Sequence, residues 1–156
     1  MSFATISDMS RFVTFRLADL LAGVNILDIR EIVPAVRIAP VAQSPDFVTG
    51  LINLRGQILV VLDIVRLLGL KRREDTFPSH VIVFKHKDVG FIVDRIGDVI
   101  SLDTAAKKNI PANIGPGIQK YVEEIIDFSG EMLMILNSGK ILSESLSARE
   151  SSKGEP

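Results

Sequence analysis

Short stretches in which every second residue is hydrophobic dominate this chain. In RFVTFRL, for example, Val13, Phe15 and Leu17 share one face of a strand, and Thr14 and Arg16 share the other. Glycine, proline and aspartate interrupt these stretches at short intervals, which is typical of many short strands rather than of helices. The pattern therefore predicts an all-β protein.

Two local patterns indicate how the strands connect. The runs HVIVFKH and GFIVD predict a hairpin that turns at Lys87-Asp88. Asp63 is a favourable helix N-cap and Gly69 a favourable left-handed closing residue, so one helical turn is expected between them. Residues 143–156 contain few apolar side chains, which predicts at most a short helix followed by disorder.

The chain also aligns with itself. GVNILDIREIV, from Gly23, matches GFIVDRIGDVI, from Gly90, and FVTGLINLRGQILVVLD, from Phe47, matches YVEEIIDFSGEMLMILN, from Tyr121. Two matching blocks in the same order predict a duplication of units with about 65–70 residues and about five strands each. Units of this size usually close into barrels that enclose only side chains, so function is expected on outer surfaces or between the units.

A tight Arg55-Gly56 turn separates the two apolar runs of GLINLRGQILVVLD. The second repeat has Ser129-Gly130 at the equivalent turn, so the geometry requires the glycine, for its positive φ, but not the arginine. Arg55 is then either an exposed polar residue without a special role, or a planar donor group presented to a carboxylate or a partner. Glu31, within the otherwise apolar DIREIV run, is the candidate carboxylate.

Composition excludes several classes of function. The chain has 156 residues, 47% hydrophobic and 24% charged, with a net charge of -1, so charge favours neither nucleic acid nor an anionic membrane. The basic cluster 71–73 is followed by Glu74 and Asp75, which we expect to offset it. Without cysteine there is no disulfide framework or thiolate metal site. We see no signal peptide and no membrane-length apolar run, and expect a soluble intracellular protein.

An enzyme and a nucleic-acid-binding barrel are the alternatives. His80 and His86 lack the third ligand usual for catalytic zinc. Asp94 and Asp98 map onto an apolar residue and onto Glu31 in the first repeat, which favours a structural or interface role over acid-base chemistry. Surfaces for nucleic acid combine basic clusters with aromatic residues, whereas this chain has no Trp and one Tyr. A mean hydropathy of +0.32 instead favours exposed apolar patches of the kind found at protein interfaces.

The blocks FVTGLINLRGQILVVLD and VGFIVDRIGDV resemble the CheW family, the coupling proteins of bacterial chemotaxis arrays. The resemblance covers residues 11–142. It implies one CheW-like domain made of two SH3-like five-stranded β-barrels with short connecting helices. The implied parts of the chain are an N-terminal tail (1–10), a first barrel (11–75), a second barrel (76–142) and a short helix or disordered tail (143–156).

The resemblance also implies a function and a set of site residues. It implies a non-enzymatic cytoplasmic adaptor, at receptor arrays beneath the inner membrane, that joins the tips of chemoreceptors to the regulatory domain of the histidine kinase CheA. No cofactor or metal is expected. The implied contacts are Glu31, Arg55 and Gly90 for the receptor, and Ile29, Gly50 and Gly56 for the kinase.

The chain departs from the family pattern at three places. The ADLLAG hairpin has two leucines where polar turn residues are usual. Glu124 and Asn137 stand where glycine and aspartate are common. These departures concern the first hairpin and the second barrel, and leave the NLRG block intact.

Overall fold

A computed structural model describes residues 9–103 and 115–143 of the chain. Short strands dominate the described residues, and three short helices connect or follow them. In chain order the elements are β1 (Met9–Leu17), β2 (Leu20–Asn25), β3 (Ile29–Pro34), β4 (Val48–Leu54), β5 (Gln57–Asp63), α1 (Ile64–Leu67), β6 (His80–Phe84), β7 (Val89–Val93), β8 (Arg95–Asp103), α2 (Pro116–Tyr121), β9 (Val122–Phe128), β10 (Glu131–Leu136) and α3 (described over 138–143).

The strands form two five-stranded sheets of the SH3-like barrel type. Sheet A has the order β8-β1-β2-β10-β9, and sheet B has the order β3-β6-β7-β5-β4. The two orders are equivalent: β1 to β5 of the first repeat correspond to β6 to β10 of the second, and replacing each strand by its counterpart converts one order into the other. The predicted all-β fold and its internal duplication are therefore confirmed.

The strand register agrees with the alignment of the two repeats. Gly23 of β2 pairs in parallel with Ile135 of β10, and Gly90 of β7 pairs in parallel with Val61 of β5. The alignment places Gly23 over Gly90 and Val61 over Ile135. The two repeats thus match residue by residue at the parallel strand pairs, β2 with β10 in sheet A and β7 with β5 in sheet B.

The sheets do not follow the predicted barrel boundaries 11–75 and 76–142, which are wrong for the first hairpin of each repeat. β1 and β2 lie in sheet A with β8, β9 and β10, whereas β6 and β7 lie in sheet B with β3, β4 and β5. The reason is the 3₁₀ turn Ile26–Asp28, which carries the chain from one sheet to the other after β2. The Asn25 side chain caps this turn by accepting the Leu27 N–H at 2.9 Å.

The start of the chain needs a smaller correction. The predicted tail 1–10 overlaps β1, which already begins at Met9 and pairs there with Asp103 of β8. The predicted tail 143–156 lies outside the described residues, apart from position 143.

The largest hydrophobic cluster lies between the two sheets and belongs to both. Sheet A contributes Phe15 and Leu17, and sheet B contributes Ile82, Phe84 and Phe91, all at most 1% exposed. The rings of Phe84 and Phe91 have their centroids 4.4 Å apart. Two smaller clusters fill the opposite faces of the sheets. Because the main cluster is shared, separating the sheets exposes the core of both.

The hairpins β1–β2 and β6–β7, which the two repeats exchange between the sheets, are consequently buried on both faces. β7 is buried at every position, and β1 is buried from Phe12 to Phe15. Strict alternation predicted Thr14 on a polar face, but it is only 4% exposed. Its hydroxyl donates to the backbone carbonyl of Asp98 at 2.7 Å, which satisfies a polar group that the core would otherwise leave unpaired.

An ion cluster at Arg72 fastens the two sheets together. Its guanidinium donates to both carboxylate oxygens of Asp63, at 2.7 and 3.0 Å, and to Asp94 at 2.5 Å. Asp94, whose side chain is 1% exposed, also accepts the backbone N–H of Ala18 at 2.7 Å. Ala18 belongs to the turn between β1 and β2, so the cluster holds the exchanged hairpin of sheet A against sheet B.

The Arg72 partners differ from those expected in the sequence. Glu74 and Asp75 were expected to offset the basic cluster, but Arg72 is neutralised by the distant Asp63 and Asp94. Burial lowers the pKa of Arg72, and the hydrogen bonds that it donates to Asp63 and Asp94 outweigh this, so that the pKa is raised above its usual value.

We expect Arg72→Met to lower the free energy of unfolding by about 3 kcal/mol, because it leaves two nearly buried carboxylates without their cation. This corresponds to a fall in Tm of about 6–12 °C. Adding Asp63→Asn and Asp94→Asn should restore most of the loss, since both amides keep their oxygen acceptors. Thermal and urea unfolding provide the measurement.

Arg73→Met is the matched control. Arg73 pairs with Asp19 at 3.1 Å, but the two side chains are 71% and 69% exposed. Exposed pairs contribute little to stability, so this variant should unfold almost like the wild type. Equal losses for Arg72→Met and Arg73→Met would contradict the proposed importance of the cluster.

Candidate functional site

The turn between β4 and β5 has positive φ at both of its central residues. Arg55 has a φ of 52° and Gly56 a φ of 87°, between the paired residues Leu54 and Gln57. Two positive φ values are typical of a type I′ hairpin turn, whose twist matches that of the flanking strands. The Asn53 side chain accepts the Gly56 N–H at 2.9 Å and secures the turn.

The second repeat has the same turn without the arginine. Ser129 has a φ of 53° and Gly130 a φ of 84°, and Asp127 accepts the Gly130 N–H at 3.0 Å. Position 55 therefore also adopts the left-handed conformation, which the sequence predicted only for the glycine. Since serine occupies this conformation in the second repeat, the turn itself does not require Arg55.

Arg55 and Glu31 form an ion pair, as the sequence predicted. The Arg55 guanidinium donates to the Glu31 carboxylate, and Arg30 lies 3.4 Å from the same oxygen. The Arg55 side chain is 65% exposed, whereas Glu31 is 24% exposed. The hydrogen bond from Arg55 lowers the pKa of Glu31 and raises that of Arg55. Glu31 thus orients an arginine whose outer donors remain open to solvent.

The polar cluster extends beyond the predicted pair to Gln57 and Asp88. Gln57 accepts a hydrogen bond from Arg30 at 2.8 Å and donates to Asp88. Next to Gln57, Ile58 is 54% exposed. The sequence did not predict Gln57 and Arg30 as site residues, although Gln57 follows the Arg55-Gly56 turn directly. We call Arg30, Glu31, Arg55, Gln57 and Asp88 the arginine-turn cluster.

The corresponding surface of the second repeat has different charges. Glu131 replaces Gln57 and pairs with Arg16, and the hydrogen bond from Arg16 lowers the pKa of Glu131. Asp98 aligns with Glu31, but Ser129 takes the place of Arg55. The two barrels therefore share a turn and present different side chains from it.

Three predicted site residues lie in one row across sheet B. Glu31 pairs with Val83, Val83 with Gly90, Gly90 with Val61, and Val61 with Gly50. Glu31 stands at the accessible end of this row. Gly90 is buried in the central strand, so it does not present a surface to a partner.

Gly90 and Gly50 are needed for space. A Cβ at position 90 would lie 2.5 Å from the Val81 side chain, and one at position 50 would lie 2.3 Å from the Ala39 carbonyl oxygen. Contacts this short require the neighbours to move. Gly50 therefore allows the segment at Ala39 to cover β4, where Ala39 and Leu51 form a β-bridge.

The residues predicted for the kinase contact do not form one exposed patch. Ile29 is half-buried and packs against the main hydrophobic cluster, and Gly50 is buried in β4. Gly56 is exposed, but it shares its turn with Arg55. Of the three, Gly56 alone is placed to touch a partner directly.

The described residues contain no group of three or more His, Asp or Glu side chains arranged to hold a metal ion. His80 lies beside the Ser79 hydroxyl at 2.9 Å, and His86 lies in the β6–β7 loop. Within 9–103 and 115–143, no helix is both long and apolar enough to span a membrane.

Comparisons with known proteins agree on one family. The family model for the CheW-like domain matches residues 11–146. The chemotaxis protein CheW of Rhizobium meliloti is 29% identical over 80% of this chain and 81% of its own length, and that of Klebsiella aerogenes is 30% identical over 85% and 81%. The crystal structure of the scaffolding protein TtCheW from Thermoanaerobacter tengcongensis superimposes with a TM-score of 0.74 at 30% identity, covering 83% of this chain and 84% of that one.

The chain belongs to the CheW family. This family consists of chemotaxis scaffold proteins, and the membership agrees with the two SH3-like sheets described above. The arginine-turn cluster lies in the part of this CheW-like chain that the family model matches.

The departures noted in the second barrel of this CheW-like protein have different structural consequences. Asn137 caps α3, because its side chain accepts the Lys140 N–H at 3.0 Å, as Asp63 caps α1 through the Arg66 N–H. This substitution keeps the capping function. Glu124 aligns with Gly50 and is 5% exposed in β9, so it places a buried carboxyl group where the first repeat has no side chain.

We expect Arg55→Ser to raise the pKa of Glu31 towards its ordinary value, because the main cause of its lowering is the Arg55 hydrogen bond. A folded-state pKa below the unfolded value means that the pair stabilises the fold above the unfolded pKa and that this contribution disappears as the pH falls. NMR titration of the Glu31 carboxyl carbon measures the shift. An unchanged pKa in the variant would show that the pair does not persist in solution.

A second expectation concerns Gly90. Gly90→Ala should lower the free energy of unfolding by about 1–3 kcal/mol through overpacking against Val81. Gly23→Ala is the matched variant in the other repeat and should cost less, since its Cβ would lie 3.3 Å from the nearest atom. Urea unfolding measures both. If Gly90→Ala is as stable as the wild type but loses partner binding, Gly90 belongs to the interface and not to the core.

Proposed function

We propose that this protein is a non-enzymatic adaptor that couples the cytoplasmic tips of chemoreceptors to a CheA-type histidine kinase, at receptor arrays beneath the inner membrane. Membership of the CheW family supports this proposal at the level of a chemotaxis scaffold. The observation that carries the finer assignment is the oriented and exposed Arg55 on the β4–β5 turn.

Arg55 has the properties of an interface anchor. Its guanidinium is planar, always charged and able to donate several hydrogen bonds at once. Glu31 holds one edge of it, so less side-chain freedom is lost when a partner binds. Arginine is enriched among the residues that contribute most to binding at protein interfaces.

The proposed receptor surface consists of Glu31 and Arg55, with Gly90 acting beneath it by keeping β7 close to β6. The proposed kinase surface uses Gly56 directly and the edge of β4. Gly50 contributes to that edge by allowing Ala39 to lie on it, and Ile29 contributes by fixing the start of β3 against the core.

The test is a titration of a receptor-tip fragment against four proteins: wild type, Arg55→Ser, Glu31→Ala and the double variant. Arg55→Ser should bind about thirtyfold more weakly, as expected when an arginine anchor is lost. Glu31→Ala should weaken binding less, and the double variant should be less than additive because the two residues act together. Melting curves must show that each variant is folded.

Ser129→Ala is the matched control, because it changes the equivalent turn of the other barrel and should leave receptor binding unchanged. The same proteins titrated with a CheA regulatory domain decide whether the two surfaces are separate, since Gly56 adjoins Arg55. If folded Arg55→Ser binds the receptor fragment like the wild type, the assignment of Arg55 is wrong.

A further inference from the structure

The internal duplication relates two clefts between the sheets. One cleft, of about 540 Å³, is lined by Asp28 and Lys85, and the other, of about 690 Å³, is lined by Arg16 and Arg95. The alignment of the repeats places Asp28 over Arg95. We call Arg16 and Arg95 the arginine pair, and the larger cleft the arginine cleft.

The strand register shows that the remaining two residues correspond as well. Ile29 aligns with Ile96, and these residues pair with Phe84 and Phe15. The residue after Phe84 therefore corresponds to the residue after Phe15. The arginine pair is thus the counterpart of the aspartate and the lysine that line the smaller cleft.

The two repeats differ in charge at this position. In the first repeat the acidic Asp28 meets the basic Lys85, whose backbone N–H donates to the Asp28 carbonyl oxygen at 2.9 Å. In the second repeat Arg16 of β1 lies directly opposite Arg95 of β8. Like charges directly opposite each other in an antiparallel pair destabilise a sheet. The second repeat therefore has two arginines where a complementary pair would be more stable.

Arg95 is the arginine of this cleft that has no acidic partner. Arg16 donates to both carboxylate oxygens of Glu131, and Arg73, which also lines the arginine cleft, pairs with Asp19. The remaining carboxylate of the wall belongs to the ion cluster at the sheet boundary described above. Within the described part of the chain, Arg95 forms no ion pair. One positive charge of the arginine cleft is thus uncompensated.

A second groove, of about 310 Å³, adjoins the arginine pair. Both arginines line it, together with the apolar side chains of Leu21, Ile100 and Phe128. Ser129 lies at this groove, on the turn where the first repeat has Arg55. The long side chain that reaches from the turn to the neighbouring edge strand in the first repeat is therefore missing here, and the groove is open.

A single carboxylate fits these charges better than a phosphate. The arginine cleft leaves one positive charge uncompensated, and Asp98, which lines the adjoining groove, repels a doubly charged group. Guanidinium groups donate in the planar geometry that a carboxylate accepts. The apolar lining of the groove favours a hydrophobic side chain beside the carboxylate. Both features together are found in a segment of a protein and not in a free anion.

We propose that Arg95, together with Arg16, binds an Asp or Glu side chain in an exposed segment of a partner protein, and that a neighbouring apolar side chain of this segment occupies the groove at Phe128. Sheet A forms this surface, whereas the arginine-turn cluster belongs to sheet B. The proposal therefore does not depend on the receptor assignment of Arg55.

The test is an NMR titration of the full-length protein with the peptide acetyl-Leu-Glu-Leu-Glu-amide. The backbone amides of Arg16, Arg95 and Phe128 should shift in a saturable way. The same peptide with glutamine in place of glutamate should bind about tenfold more weakly, because the charge-assisted hydrogen bonds are lost. Equal binding of the two peptides, or the absence of saturable shifts with the glutamate peptide, would overturn the proposal.

Arg95→Asp restores the complementary pair of the first repeat. It should weaken binding of the glutamate peptide about tenfold or more, and raise Tm by about 1–3 °C, because repulsion from Arg16 becomes attraction. Arg95→Gln removes the charge without adding one, and should lose binding equally with a smaller rise in Tm. If Tm falls in both variants, Arg95 stabilises the fold and the proposal is wrong.

Arg11→Asp is the matched control, because it changes the net charge by the same amount as Arg95→Asp. Arg11 is exposed on the same strand as Arg16, lies opposite Ser101 and lines neither groove. This variant should bind the peptide like the wild type. Equal losses for Arg11→Asp and Arg95→Asp would show an effect of overall charge and overturn the site.

Inorganic phosphate is titrated in parallel as a free anion. We expect it to shift the amides of the arginine pair only at concentrations about tenfold higher than those of the glutamate peptide, because it has no apolar group for the groove. If phosphate saturates the same amides at lower concentration than the peptide, the cleft binds a phosphate ligand and the assignment to a partner carboxylate is wrong.

Discussion

The exchange of hairpins between the two sheets is the constraint on which the rest of the structure depends. Because β1 and β2 complete sheet A and β6 and β7 complete sheet B, each sheet contains strands from both repeats. The main hydrophobic cluster consequently lies between the sheets and is shared by them. The ion pairs of Arg72 with Asp63 and Asp94 connect the two sheets at one edge of this shared core. The shared core, and not a linker, therefore fixes the position of one barrel relative to the other.

That rigidity gives the arginine-turn cluster its geometry. Glu31 lies on β3 and Arg55 follows β4, which are the two outer strands of sheet B. The pair therefore forms only if the sheet curls to bring both edges together and each edge keeps its register. The buried glycines contribute indirectly: Gly90 lets β6 and β7 pack closely, and Gly50 lets Ala39 approach β4. The Arg55–Glu31 ion pair on the surface therefore depends on the close packing of strands inside sheet B.

The sequence was sufficient to predict features that depend on local chemistry or on the repeat. The turn at Arg55, the Asp63 cap, the pair with Glu31 and the duplication follow from glycine positions, apolar periodicity and internal alignment. The exchange did not follow, because periodicity identifies the faces of a strand but not its neighbours. One indication was present: HVIVF and GFIV are almost continuously apolar, which is typical of strands buried on both faces.

Arg72 could not be assigned from the sequence for a related reason. Its adjacent acidic residues, Glu74 and Asp75, are closer in the chain than Asp63 and Asp94, yet the fold brings the distant pair to it. Gly90 was assigned to a contact surface because it belongs to a motif, whereas its burial makes it a packing residue. Motif membership and surface exposure are separate properties, and only three-dimensional structure distinguishes them.

The exchanged topology also has a consequence for synthesis on the ribosome. Sheet B can assemble once Val93 has emerged, but sheet A must wait for β10, which ends at Leu136. More than 100 residues separate β2 from its neighbour β10, which corresponds to roughly 5–20 s of translation at usual rates. Throughout this interval the first hairpin to be made, whose strand β1 is buried from Phe12 to Phe15 in the folded protein, has an unpaired edge. The nascent chain is therefore most vulnerable to aggregation at its N-terminal hairpin, although that hairpin is among the most deeply buried parts of the finished protein.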